Sequence, residues 1–258
     1  MELLKELYNY REMIYSLVRR ELRGRYKGSV LGFLWTFINP LLQLLVYTMV
    51  FSVILRSDIE KYYIYLFVAL IPWMFFSSSV NNGANSILSS PDMVKKIYFP
   101  REVLPIASVT TCFVNMLLTF LVVFTVLIVS GFGINFLALL YLPAIMIVEY
   151  LLCMGIALLT SAFTVYFRDL AYILGIVTMA WQFLTPVMYD IRIVPEKLLP
   201  VFYANPMTHV IIAYRDVLYY KQIPDLSTLT LAVIWGVGML LIGCFTFRRL
   251  QKGFAEEL

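Results

Sequence analysis

Long uncharged stretches separate short charged ones along this chain. Ser29–Leu55, Tyr62–Pro91, Leu170–Tyr189 and Leu226–Phe247 contain no Asp, Glu, Lys or Arg, and Val103–Val148 is an uncharged run of 46 residues. The hydrocarbon of a bilayer is ~30 Å thick and a helix rises ~1.5 Å per residue, so about 20 apolar residues cross it once. The 46-residue run is too long for one crossing, and Gly131-Phe132-Gly133-Ile134-Asn135 interrupts it with turn-forming residues. The pattern therefore predicts an all-α integral membrane protein with six spans, at about 29–55, 62–88, 103–130, 136–167, 170–189 and 226–247. Helices are required because unpaired backbone amides are costly in hydrocarbon, and the period-2 alternation of a barrel is missing.

Four segments outside the spans have patterns of their own. In residues 2–23, Leu3, Leu4, Leu7, Ile14, Leu17, Val18 and Leu22 recur at helical spacing, with Glu2, Lys5, Glu6, Asn9, Glu12, Arg19, Arg20 and Arg23 on the other face. This predicts an amphipathic helix lying in the membrane interface, its basic end (Arg19, Arg20, Arg23, Arg25) near anionic headgroups. With its linker it fills residues 1–28. In the segment Ser89–Arg101, Ser90 is a candidate cap with Pro91 at the first helical position. Asp92 and Lys95-Lys96 sit at the ends the helix dipole prefers, and Pro100 stops the helix. About two turns, residues 90–100, are expected, with Met93, Val94, Ile97 and Phe99 available for contact; the plainer alternative is a solvated basic loop. Tyr166-Phe167-Arg168-Asp169 is a very short turn between spans four and five. Residues 190–225 are rich in proline and aromatic residues, and two short helices within 195–220, broken at Asn205-Pro206, are expected to dip into a leaflet. The lone His209 reads as an interfacial residue rather than a ligand.

Composition agrees with lipid contact. The 258 residues are 61% hydrophobic and 14% charged, against about 45–50% and 25% for soluble domains. The net charge of +4 matters less than its placement. With alternate loops assigned to alternate sides, fourteen Lys and Arg fall on the side of the two termini and six on the other. The positive-inside rule then puts both termini in the cytoplasm, with residues 251–258 as a cytoplasmic tail. The first 28 residues contain no continuous apolar stretch, so delivery to the membrane is expected to depend on the first span. Cys112, Cys153 and Cys244 sit far apart in apolar runs and read as small buried hydrophobes.

No phosphate-binding loop, dinucleotide fingerprint, zinc motif or intramembrane carboxylate pair is present. The one acid deep in a predicted helix is Glu149, more in keeping with a buried structural residue than with a proton relay. The chain thus offers a membrane path without an energy source, a metal site or a catalytic constellation. Aromatic residues near the helix ends, among them Tyr62, Tyr63, Tyr65, Trp73, Phe75 and Phe76, read as an interfacial belt and lipid-facing surface. Phe33, Trp35, Phe37, Trp181 and Phe183 are candidates to line a conduit, where flat rings stack on C–H-rich sugar faces.

Five segments taken in order resemble the ABC-2 type membrane subunits of bacterial polysaccharide exporters, those that export O-antigen, capsule or teichoic acid. The first is the basic stretch from Arg19 to Lys27 with Tyr26, Ser29, Leu31, Gly32 and Trp35, running into Asn39-Pro40-Leu41. Lys95-Lys96-Ile97-Tyr98-Phe99-Pro100-Arg101-Glu102, Phe167-Arg168-Asp169-Leu170, Thr185-Pro186-Val187-Met188-Tyr189 and Asn205-Pro206-Met207 follow. The resemblance covers nearly the whole chain. It implies a homodimer in the bacterial inner membrane, bound underneath by two copies of a separate ATPase that holds the ATP and magnesium. No cofactor in this chain and no nucleic acid partner are expected. The 90–100 helix would be the coupling helix that docks on the ATPase through Pro91, Asp92, Met93, Val94, Lys95, Lys96 and Ile97, and the 195–220 helices, with Asn205, Pro206 and His209, would form an outer gate. Spans one and five of both copies would line the path of a lipid-linked glycan. Export of a small lipophilic drug and ion-coupled transport centred on Glu149 are the rival readings.

Overall fold

The computed structural model describes residues 7–25, 27–54 and 58–258, and for Arg25, Val53 and Ala255 the backbone alone. Glu2 to Glu6, Tyr26, the predicted end of span one at Leu55 and the side chain of Arg25 thus lie outside the described residues. Every regular element described is helical. Helix α1 (Arg11–Arg25) is followed by a 3-10 turn (Gly32–Leu34), α2 (Trp35–Thr48) and a wide π turn (Met49–Ile54). Next come α3 (Tyr62–Asn85), α4 (Pro91–Lys96), α5 (Val103–Val129), α6 (Phe136–Leu139), α7 (Leu142–Tyr166) and α8 (Leu170–Phe183). The chain closes with α9 (Leu199–Ala204), α10 (Pro206–Leu218), α11 (Leu226–Leu250) and the short α12 (Phe254–Glu257).

Among the described residues, five apolar segments are long enough to cross a membrane: Gly32–Ser52, Tyr62–Asn85, Val103–Val129, Phe136–Tyr166 and Leu226–Gly253. The sixth, Leu170–Phe183, is shorter. At ~1.5 Å per residue, its 14 residues span about 21 Å, less than the hydrocarbon thickness. The predicted fifth span to Tyr189 therefore stops early. Pro186 cannot continue a helix, and the 184–190 segment turns back into the bundle, with Val187 N–H donating to the Thr185 carbonyl at 2.7 Å.

Helix α3 forms the centre. It is buried on nearly every side from Tyr62 to Phe76, and α2, α5, α7, α8 and α10 pack around it. Tyr62, Tyr65, Trp73, Phe75 and Phe76 are buried, so the expected interfacial belt is instead a core. The reason is that other helices, not lipid, surround this span. Helices α7 and α11 make the most extensive pairing. A β-carbon on Gly155 would lie 2.3 Å from the Met239 carbonyl carbon, and one on Gly243 would lie 2.2 Å from the Gly155 oxygen. Ala232 and Gly236 extend the same buried face of α11. Close backbone approach over small residues is how helices gain van der Waals contact where lipid removes the hydrophobic incentive.

Proline is accommodated by a neighbour. Pro40 in α2 cannot donate to the Thr36 carbonyl, and the Thr119 hydroxyl of α5 approaches that oxygen at 3.5 Å. The predicted hairpin between spans three and four is present, with positive φ at Gly131 (62°) and Gly133 (80°). Asn135 caps α6 by accepting from Leu137 N–H at 3.0 Å.

Hydrogen bonds divide the molecule into two ends. Arg20 meets Met93, Tyr166 donates to the Leu250 carbonyl and Arg168 to the Glu257 carbonyl, so the described parts of both terminal segments share one end with α4. At the other end Tyr219 donates to the Glu60 carbonyl, Asn135 to the Lys221 carbonyl and Lys221 to the Phe132 carbonyl.

Candidate docking and translocation surfaces

Helix α4 begins at Pro91, whose missing N–H costs nothing at that position. Ser90 makes no side-chain capping bond, contrary to expectation. Asp92 and Lys96 form an i,i+4 pair at 2.8 Å. The helix covers only Pro91–Lys96; Ile97 is already extended, so it is shorter than the two turns expected. Val94, Phe99 and Pro100 anchor it in the core, while Lys95, Lys96, Ile97 and Tyr98 face outward. Tyr98 is 93% exposed, an unusual position for an aromatic ring next to a buried Phe99. Met93 is half-buried, with its sulfur 4.0 Å from an Arg20 nitrogen.

The end of the chain is built into the same site. Arg101 donates to the Gln251 carbonyl, and its guanidinium lies 5.8 Å from the Phe254 ring centroid. The buried Glu102 accepts from Gln251 Nε2 at 3.2 Å and lies 3.9 Å from Arg248 Nε. Phe254 is fully buried against Phe247 and Tyr166. Between the 94–102 segment and Arg248, Gln251 and Lys252 lies a groove of about 660 Å³. Five basic side chains and one acid line it, and Ile97 and Tyr98 stand at its edge. Pro91 to Ile97 were expected here, and Arg101 and Glu102 lie in the family-like segment that follows them, but Arg248, Gln251 and Phe254 were not anticipated. Basic residues at both places were the available signal, but nothing local joins residues 150 apart.

Helix α1 lays Leu17 and Val18 into the core and keeps Arg19, Arg20 and Arg23 exposed. It packs on α5. Beside it opens a largely apolar cavity of about 1050 Å³, walled by Ile14, Val18, Leu22, Phe33 and Val114 and rimmed by Arg11, Arg19, Arg23 and Lys27. Phe33 meets Phe37 edge-on at 5.4 Å, and the Trp35 indole donates to Ser29 at 3.1 Å. Trp181 packs edge-on against Phe76 at 5.1 Å, with Phe183 exposed beyond it. The two groups of candidate conduit residues thus sit on different helices against different neighbours. Arg168 reaches the Glu257 carbonyl at 3.2 Å, and Asp169 starts α8 without a capping bond.

Helix α10 departs furthest from expectation. It is not an amphipathic helix at a surface, since all its residues but Ile212 are buried. Its polar side chains point inward, and all but the Thr208 hydroxyl find a partner. Asn205 caps it by accepting from Met207 N–H at 3.0 Å and ties it to Thr185 at 2.8 Å. His209 is buried with Nε2 2.8 Å from the Tyr203 carbonyl, so it is a packed residue rather than an interfacial one. Tyr214 donates to Glu149 at 2.7 Å, which gives Glu149 the buried structural contact anticipated. Arg215 lies 3.7 Å from the Tyr65 ring centroid and donates to the Pro186 and Val187 carbonyls at 2.5 and 2.6 Å. One arginine therefore locks α3, α10 and the 184–190 turn together. Outside the core, Asp190 is clamped by Arg192 at 2.6 Å. The hydrogen bond from Arg192 holds the Asp190 carboxyl below its usual value against the opposing effect of burial.

Residues 12–219 match the ABC-2 type transporter family. The chain belongs to that family. Across its full length it is 33% identical to the O-antigen export system permease protein RfbA of Myxococcus xanthus, covering all of that protein. It is 30% identical over 96% of its length to the RfbA permease of Klebsiella pneumoniae, covering 95% of that protein. It is 24% identical over 92% of its length to the polysialic acid transport protein KpsM of Escherichia coli, covering 93% of it. The ABC-2 match contains α1, α4 and α10 and stops before α11. The tail that closes the basic groove therefore lies beyond the matched region, within the full-length likeness to the Myxococcus permease.

Proposed function

We propose that this chain is the permease subunit of an ATP-driven exporter that moves a lipid-linked polysaccharide across the bacterial inner membrane. The observation that carries the reading is the likeness to an O-antigen export permease over the entire chain. Two copies form the membrane unit, and a separate ATPase in two copies supplies ATP and magnesium. Both termini, α4 and the basic groove face the cytoplasm, consistent with fourteen Lys and Arg on that side against six on the other.

The groove supports an ATPase partner chemically. Exposed Ile97 and Tyr98 offer an apolar anchor within a basic rim, the combination that interfaces use for affinity at the centre and orientation at the edge. Force applied to α4 reaches α5 directly through Glu102 and α11 through the Arg101–Gln251 and Glu102–Arg248 contacts. A rigid-body shift of these helices would alter how α2 and α8 meet their counterparts in the second copy, a known kind of two-state motion. Both helices expose long apolar faces, including Leu42, Leu45 and Val46 on α2 and Tyr172, Ile176 and Met179 on α8.

The reading is tested by deleting the gene and following the cell's surface polysaccharide. Loss from the surface, with lipid-linked polymer retained inside and rescue by the intact chain, is expected. Normal surface polymer in the deletion strain contradicts it.

A further inference from the structure

The end of the molecule opposite the basic groove holds another recessed surface, floored by Arg215 and Tyr65 and edged by exposed polar and aromatic side chains. A cavity of about 370 Å³ opens among α9, α10 and the start of α11, and a neighbouring one of about 510 Å³ shares Asp190, Arg192 and Tyr220 with it. Together they form an elongated groove that continues over Asp58–Glu60. Each is large enough for a small ligand.

Its lining is mixed in a specific way. Tyr203 and Tyr220 are both nearly half exposed. Tyr220 is fixed edge-on against Tyr219 at 5.1 Å, so its ring is positioned in advance. Around the rings stand Asp190, Arg192, Gln222 and Thr228. Arg192 uses Nε and Nη2 on Asp190 yet keeps 78% of its side chain exposed, so the guanidinium, with five N–H donors in all, has some left to offer. Gln222 donates to Asp216 at 2.8 Å, which leaves its amide oxygen as an acceptor. The Asp190–Arg192 pair is internally neutral, and Arg215 behind it is buried and bonded to carbonyls. The groove therefore lacks the excess positive charge that would select phosphate. It also lacks the continuous apolar wall that a lipid chain would need.

Rings beside closely spaced donors and acceptors suit a ligand with C–H faces and hydroxyl edges. We propose that this groove binds one or two sugar units of a glycan chain as it leaves the membrane. The site deepens the export reading and rests on it for the origin of the ligand, and its position fits an exit side. Tyr203 and Tyr220 stack on sugar faces, while Arg192 donates to hydroxyls and Gln222 accepts from them. Retention of a sugar there would oppose backward sliding between strokes of the ATPase.

The test uses the chain with its ATPase partner in nanodiscs. The probe is a set of short oligosaccharides made by partial acid hydrolysis of the host's surface polysaccharide, and saturation-transfer NMR reads their binding. The expected result is transfer to sugar C–H protons in the wild type and binding about tenfold weaker in a Tyr203→Ala/Tyr220→Ala double variant. Arg192→Gln, which leaves both rings in place, is expected to weaken binding as well, and it serves as the readout if the double variant fails to assemble. No transfer in the wild type, or equal binding in the variants, overturns the site. The measurement does not need export to depend on this chain. A deletion strain that still exports polymer refutes the permease reading, whereas unchanged binding in the variants of an exporting chain refutes only the groove.

Discussion

Single side chains settle several questions that the sequence pattern left open. Glu149 is the main acid in the spans, and Tyr214 donates to one of its oxygens while the other has no partner. One carboxyl with one neutral donor is a structural contact rather than a relay. Glu149→Gln is therefore expected to retain export, with the same dependence on pH as the wild type. Tyr214→Phe should lower thermal stability by about 1 kcal/mol, the usual net value of a buried hydrogen bond. Loss of export in Glu149→Gln with assembly intact would revive ion coupling. Arg215 has more at stake, because it satisfies carbonyls of a turn that cannot be helical. Arg215→Met is expected to cost roughly 2–3 kcal/mol, seen as a lower melting temperature in detergent. The sequence showed an arginine in a predicted helix but not its burial. A surface helix and an inward-facing one look alike when inward polar groups such as Tyr214 and Arg215 find their partners on distant segments.

The elements themselves were largely legible. Uncharged runs marked the spans because lipid leaves no alternative to apolar helices, and Gly131 to Asn135 marked the hairpin through the positive φ it needs. Which spans lie inside the bundle was not legible, since lipid-facing and protein-facing helices are equally apolar. The aromatic residues of α3 were read as a belt for that reason. Small residues were the missed signal: Ala232, Gly236 and Gly243 follow one face of α11, and Gly155 stands opposite. Gly243→Val is expected to separate α7 from α11 and abolish stable expression, because the new β-carbon would lie within 2.2 Å of backbone. Gly238→Ala, in the same helix but with nothing within 4 Å, should be tolerated. Comparing the folded yield of the two variants after solubilisation checks this. Equal yields would show that the close crossing is not needed.

At the scale of the molecule, the two ends have different chemistry. One gathers α4, the basic groove and the terminal segments, and the other gathers tyrosines and the Asp190–Arg192 pair. The proposed orientation predicts that a cysteine replacing Ile193, with the native cysteines removed, is labelled in intact cells by a membrane-impermeant thiol reagent. A cysteine replacing Tyr98 should be labelled only after the membrane is opened. The reverse pattern would invert the protein and remove the cytoplasmic groove from the ATPase. Helix α4 was visible in the sequence from its proline and its dipole-matched charges, although it ends at Lys96, short of the stop expected at Pro100. The tail that completes the groove was invisible, since the Arg101–Gln251 contact joins residues on different helices.

The measurement that bears most directly on the central claim is affinity purification of this chain from its native membrane, with assay of the ATP hydrolysis that accompanies it. The account predicts that a separate ATPase co-purifies with the wild type and is lost from an Ile97→Asp variant that remains folded in the membrane, because Ile97 is exposed at the groove edge and has little to do with the core. A folded wild-type chain that sustains export but carries no ATPase, or an Ile97→Asp variant that retains it fully, would contradict the account.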